Sequence, residues 1–173
     1  TYQPTGSVKD RMVKYLVEDA ITRGEIIPDH TMFVEATSGN TGISLASQAA
    51  KYSCTCKIIM PENMSEQRKQ MMRSFGADIV EVGPNDFHAA IALRNSIMAS
   101  QNPPDAWCPY QFENPLNVKC HYETTAVEIL NQAADLELEI SAFVHGAGTG
   151  GTMMGVKKHF DDHDLDIPCV LTV

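Results

Sequence analysis

Apolar and polar positions along the chain repeat with two alternating periods. At Val8, Met12, Leu16 and Ala20 an apolar residue returns every fourth position, which marks one face of a helix. Ser7 is placed to cap that helix, Asp10 falls in its first turn, and Gly24 is placed to stop it. Residues 31–35 form a short apolar run of the length of a buried strand, and residues 41–52 read as a helix rich in small side chains. The alternation continues with a strand over 55–60, a helix over 65–75 ended by Gly76, a strand over 77–82 and a helix over 87–100. A loop at Pro103 and Pro104 follows, then a short strand over 106–109, a helix over 118–134, a strand over 141–145, a helix over 152–160 and a strand over 169–173. Strand then helix, repeated, predicts an α/β fold with parallel sheets covered on both faces. In such folds sites gather at the carboxyl ends of strands.

Composition narrows the partners more than the fold. Of 173 residues, 43% are hydrophobic and 20% charged, a globular balance. Thirteen Lys and Arg against 22 Asp and Glu give a net charge of −9, which repels phosphate backbones and argues against nucleic acid. No apolar run is long enough to span a bilayer, so a membrane partner is not expected. The start, Thr1-Tyr2-Gln3-Pro4, is not a signal peptide and lacks an initiator Met; it reads as a trimmed end or a fragment boundary. The five cysteines (Cys54, Cys56, Cys108, Cys120 and Cys169) are odd in number and scattered, which favours a reducing compartment over a disulfide framework. Cys54 and Cys56 would share one face of a strand, but no second ligand pair follows, and structural thiols are favoured over a metal site.

Four loops carry the candidate chemistry. In Pro4-Thr5-Gly6-Ser7-Val8-Lys9-Asp10-Arg11, Lys9 stands at the positive end of a helix dipole, which lowers an amine's pKa and suits an imine-forming lysine. From this octapeptide alone a solvated surface lysine accounts for the pattern equally well. In Glu35-Ala36-Thr37-Ser38-Gly39-Asn40-Thr41-Gly42, hydroxyl and amide side chains crowd around glycines between a strand and a helix. One helix cap explains one such residue, not five in a row, so an anion site is favoured. His145-Gly146-Ala147-Gly148-Thr149-Gly150-Gly151-Thr152 offers a backbone that can approach a phosphate. Gly146, Gly148 and Gly151 also satisfy the G-x-G-x-x-G pattern of a dinucleotide site, whose acidic partner would fall beyond the last strand. The density of glycine and threonine suits a monophosphate better. Gln111-Phe112-Glu113-Asn114-Pro115-Leu116-Asn117 is by itself a polar loop, and His121 and Tyr122 after it read as capping or packing residues opening a helix.

Together these stretches resemble the fold-type II (tryptophan synthase β-like) pyridoxal-phosphate enzymes, and among them the cysteine synthase, or O-acetylserine sulfhydrylase, family. Pro4 to Arg11 is similar to the family's lysine motif, Thr37 to Gly42 to its asparagine loop, Gln111 to Asn117 to its Q-F-x-N-P-x-N stretch and Gly148 to Thr152 to its phosphate loop. Met60-Pro61-Glu62-Asn63-Met64-Ser65 and His121-Tyr122-Glu123-Thr124-Thr125 also look like that family, and all six agree in order and approximate spacing. Glu35-Ala36 and Asn63-Met64-Ser65 lean toward its B isozyme type.

The resemblance implies pyridoxal 5'-phosphate as cofactor. Lys9 would carry it as a Schiff base and then act as general base at the substrate α-carbon. Asn40 would hydrogen-bond its 3'-oxygen, and Gly148, Thr149, Gly150, Gly151 and Thr152 would hold its phosphate. Thr37, Ser38, Gly39, Thr41 and Gln111 would bind the substrate carboxylate. The implied reaction is a β-replacement in which O-acetylserine loses acetate and gains sulfide, or another sulfur donor, to give cysteine. The rivals are cystathionine β-synthase, which joins serine to homocysteine, a serine or threonine dehydratase, and a non-catalytic fragment that keeps the motifs.

The implied organisation is two lobes with parallel-rich sheets. Residues 1–30 would be the cofactor-lysine segment of the larger lobe. Residues 31–122 would form a smaller mobile lobe that closes over the carboxylate, and residues 123–173 the start of the larger lobe with the phosphate loop. The resemblance also implies a cytoplasmic homodimer. Gln3 stands where the family has Asn, and His145 where a small residue is usual. Both ends of the family fold, including the Ser or Thr that contacts the pyridine nitrogen, are expected to be missing from this stretch.

Overall fold

The computed structural model describes residues 3–102 and 104–172. Thr1, Tyr2, Pro103 and Val173, named above in the start, the proline loop and the last strand, lie outside the described residues. The chain divides into two compact units, one ending at Tyr110 and the other starting at Gln111.

The first unit alternates as the periodicity predicts. Helix α1 (Lys9–Thr22) is followed by β1 (Met32–Ala36), α2 (Asn40–Lys51), β2 (Cys56–Pro61), α3 (Glu66–Ser74), β3 (Asp78–Val82), α4 (Phe87–Ala99) and the two-residue β4 (Ala106–Trp107). The strands form one parallel sheet in the order β3-β2-β1-β4. Its register pairs Phe33 with Cys56 on one side of β1 and with Trp107 on the other. Strand β1 is central and covered on both faces, so Phe33, Val34 and Glu35 are all buried instead of alternating in and out. Val34, Ile59, Ala90 and Ala106 make a core between the sheet and α4, while the Phe33 and Trp107 rings meet edge to face at 5.4 Å. Helix α1 buries Met12, Leu16 and Ala20 as its fourfold spacing predicts, together with Val13 and Val17, and packs against α2.

The second unit contains α5 (Leu116–Cys120), a π-helical turn (His121–Thr125), α6 (Ala126–Asp135), β5 (Phe143–Gly146), α7 (Gly151–Asp162) and β6 (Cys169–Thr172). Strands β5 and β6 pair in parallel. Ala126, Val156 and Phe160 form the core between α6 and α7, with Ile129, Leu130 and Phe143 packed around it.

Four expectations change. Ser7 is not the cap of α1: Val8 holds that position without a side-chain cap, although the Ser7 hydroxyl accepts from the Lys9 N–H at 3.2 Å. The helix expected over 118–134 is interrupted at 121–125 by the π turn, a wider i→i+5 winding that periodicity does not reveal. His121 and Tyr122 therefore lie within a continuous helical run that starts at Leu116, rather than opening it. Cys54 precedes β2 instead of sharing a strand face with Cys56, and its thiol reaches the carbonyls of Tyr52 and Ile27.

Candidate functional site

The lysine turn is fastened from below. The Gly6 N–H donates to the Gln3 carbonyl at 2.9 Å, closing a turn that delivers the chain into α1. Lys9 is the first residue of that helix, and burial of its amine lowers its pKa from the ordinary lysine value. The sequence pointed to the helix dipole as the cause; desolvation is what the structure supplies, and it acts in the same direction. Next to it, the buried Asp10 accepts from the Thr5 N–H at 2.8 Å, the Thr5 hydroxyl at 2.6 Å and the Ser44 hydroxyl at 2.6 Å. Ser44 belongs to α2, so one carboxylate ties the lysine turn to the helix that follows the asparagine loop.

The asparagine loop leaves β1 at its carboxyl end. The Thr37 N–H donates to the Ile59 carbonyl at 3.0 Å, and Gly39 caps α2 without a side-chain bond. Thr37, Ser38 and Gly39 are half-buried, Asn40 is exposed and Thr41 is buried. Within the turn, the Gly39 N–H donates to the Thr37 hydroxyl oxygen at 3.4 Å. Gly42 lies close beneath neighbouring side chains: a Cβ there would come within 2.8 Å of the Met72 terminal methyl and 3.0 Å of the Thr37 methyl. Upstream, the Glu35 carboxylate accepts from the Ala36 N–H at 2.8 Å and from Arg94 at 3.1 Å, a buried ion pair that fixes the end of β1.

In the second unit, the loop over 148–152 runs into α7. Gly150 caps that helix at φ +82°, a left-handed geometry that glycine adopts without strain. The first N–H groups of a 12-residue helix have no acceptors within it and present a positive end, as an anion site needs. Two side chains missed by sequence reasoning hold the loop from beneath. Asn117 donates to the Gln111 carbonyl and to the Thr149 hydroxyl oxygen, each at 2.9 Å. His121 shares hydrogen bonds with Thr125 at 2.8 Å and Thr152 at 3.2 Å, all three residues being buried. Helix α7 can lie this close only because of its glycines. A Cβ at Gly151 would collide with the Asn117 amide, and one at Gly155 would fall 2.5 Å from the Val118 carbonyl and 2.7 Å from His121 Cβ.

The expected residues therefore fall into two sets. Lys9, Thr37, Ser38, Gly39, Asn40 and Thr41 belong to the first unit, and Gln111 with Gly148, Thr149, Gly150, Gly151 and Thr152 to the second. Asn117 carried no chemical signal of its own in the sequence, and His121 read as a packing residue. Among the described residues no group of three or more His, Cys, Asp or Glu side chains is arranged to hold a metal ion.

Comparison with known proteins agrees with this chemistry. The model of a family described as pyridoxal-phosphate dependent enzymes matches residues 1–172. A cysteine synthase from Flavobacterium sp. is 40% identical over 155 residues, covering 90% of this chain and 49% of the relative. Cysteine synthase B from Salmonella typhimurium is 37% identical over 167 residues, covering 96% of this chain and 53% of the relative. The solved structure of an O-acetylserine dependent cystathionine beta-synthase from Helicobacter pylori is similar with a TM-score of 0.83 at 34% identity, over 97% of this chain and 53% of that one. The chain spans about half the length of the curated relatives it matches.

Proposed function

The chain belongs to the family of pyridoxal-phosphate dependent enzymes, and on that premise we propose that it serves a β-replacement forming L-cysteine from O-acetylserine and sulfide. Its α/β fold is that of the fold-type II members, with parallel sheets and covering helices. The residues present fit the cofactor. An amine with a lowered pKa is suited to hold an aldehyde, and a glycine-threonine loop at a helix start is suited to hold a monophosphate.

In this reading Lys9 holds pyridoxal 5'-phosphate covalently. Asn40 holds its 3'-oxygen, and Gly148, Thr149, Gly150, Gly151 and Thr152 hold its phosphate. When bound, the cofactor supplies an electron sink for the charge left at a substrate α-carbon. Thr37, Ser38, Gly39, Thr41 and Gln111 orient the substrate by its carboxylate. Once the substrate amine has displaced it from the cofactor, the Lys9 amine would take the α-proton, and its lowered pKa favours the uncharged form that does so. Acetate leaves and the sulfur donor, sulfide or another, takes its place on the β-carbon.

The same reading assigns residues 1–30 and 123–173 to a larger lobe and 31–122 to a smaller, mobile one. The placement of all four strands of the first sheet within 31–122 supports it. A cytoplasmic homodimer completes the reading. None of the described helices is long and apolar enough to cross a membrane.

The observation that carries the proposal is the desolvated Lys9 amine at the start of α1, within a motif similar to the cysteine synthases. The test is spectroscopic. The protein loaded with cofactor is expected to absorb in the visible and to shift on addition of O-acetylserine, and Lys9→Ala is expected to lose the starting band. A band that survives in Lys9→Ala would remove the lysine assignment. A response to serine plus homocysteine but not to O-acetylserine plus sulfide would move the reading to cystathionine β-synthase.

A further inference from the structure

We infer that Asn117 fixes the direction in which the Thr149 hydroxyl donates, and is thereby a positioning residue for the phosphate on the loop over 148–152; this rests on the cofactor reading above. Asn117 is only 4% exposed. Its Nδ2 lies 2.9 Å from the Gln111 carbonyl oxygen and 2.9 Å from Thr149 Oγ1. A main-chain carbonyl can only accept, so it decides which end of the amide faces it: the NH2 group. The second hydrogen of that NH2 then goes to the Thr149 oxygen. The Gly151 N–H points to the same oxygen at 3.4 Å. A hydroxyl has two lone pairs and one hydrogen. With its oxygen accepting from both neighbours, Thr149 is left as a donor, which is what a phosphate oxygen requires.

The remaining end of Asn117 is where this orientation carries its cost. Its Oδ1 is buried and has no hydrogen-bond partner among the described residues. Leaving a buried acceptor unmatched is unfavourable, but turning the amide over costs more: the Thr149 hydroxyl could donate to Oδ1, yet Oδ1 would then face the carbonyl oxygen of Gln111, acceptor against acceptor. Gly151 backs the amide so closely that a Cβ there would collide with it. The amide is thus locked in the one orientation that makes Thr149 a donor. Because the Gln111 main chain sets that orientation, Asn117 also links the residue assigned to the substrate carboxylate with the loop assigned to the phosphate.

The test uses the intact protein and measures equilibrium affinity for pyridoxal 5'-phosphate and the 31P resonance of the bound cofactor. Asn117→Ala removes a donor but leaves the hydroxyl free to turn. Asn117→Asp offers only acceptors, so it draws the Thr149 hydrogen toward itself. Affinity is therefore expected to fall in the order wild type, Asn117→Ala, Asn117→Asp, with about a tenfold gap between the two variants, or ~1.4 kcal/mol. In a Thr149→Val background that gap is expected to shrink to about twofold, because contacting residues that act through each other are not additive. Added negative charge alone would leave the gap intact in that background and would overturn the inference, as would equal affinities of the two variants. If Asn117→Asp does not fold, the 31P resonance decides. It is expected to move in Asn117→Ala and in Thr149→Val, and no further in the double variant; additive shifts overturn the inference. Wild-type protein that binds no cofactor removes the reading above and this inference together. Normal wild-type binding with unchanged variants removes the inference alone.

Discussion

Lys9 illustrates how one side chain can be chosen against stability. Burial depresses its pKa below the ordinary 10.5. Between the depressed value and 10.5 the unfolded chain binds a proton that the folded chain does not, so stability rises with pH through that window and is lost as pH falls through the folded pKa. Below the folded pKa both states carry the proton, and the folded state bears the whole cost of a poorly hydrated ammonium. Lys9→Met is therefore expected to raise the urea midpoint of the cofactor-free protein at pH 7, and the advantage is expected to shrink as pH rises toward 10.5 and to level off above it. A midpoint that falls at pH 7 would mean that Lys9 stabilises the fold. Asp10 acts in the opposite sense, since it receives three donors. Asp10→Ala is expected to lower stability by about 1–3 kcal/mol, the usual cost of stranding buried partners, read as a lower midpoint at unchanged m-value. The place of Lys9 at the start of α1 was legible because its motif is local. The partners of Asn117 and His121 were not, since Thr149 and Thr152 lie 32 and 31 positions away.

At the scale of elements, hydrophobic period gave the order of the helices and strands, most clearly where β1 and β2 are buried on both faces and α1 buries one stripe. Element ends moved by a residue or two, as fraying ends do. The π turn escaped because its signature is a hydrogen-bond offset, not a side-chain pattern. It matters because it lies in the run that carries Asn117, His121 and Thr125 beneath α7. Gly155 tests that contact. Alanine there would gain about 1 kcal/mol of helix propensity. Against that, its Cβ would press on the backbone of Val118 and Tyr122, which cannot rotate away, at an overpacking cost of about 1–3 kcal/mol. Gly155→Ala is expected to lower the melting temperature, and the 31P resonance of bound cofactor should move with it as Thr152 is displaced.

At the scale of the molecule, the chain carries two cores. Phe33 is fully buried in the first unit and Phe160 is 1% exposed in the second. Truncating either to alanine is expected to cost about 3–5 kcal/mol. Local openings follow contiguous packed units. Phe33→Ala is therefore expected to speed amide exchange in β1 to β4 while β5 and α7 keep their protection, and Phe160→Ala to do the reverse; equal acceleration everywhere would show a single cooperative unit. The strand order β3-β2-β1-β4 has a further consequence for the making of the chain. During synthesis β1 can pair with β2, and β2 with β3, early, but the partner for the other edge of β1 is Ala106 and Trp107. At about 5–20 residues per second, the ribosome leaves that edge open for roughly 4–15 s. An open edge of this kind can recruit a neighbouring nascent chain. The chain's single tryptophan is the residue that closes it, so its emission, quenched or shifted on meeting Phe33, offers a clock for the last pairing event in the sheet.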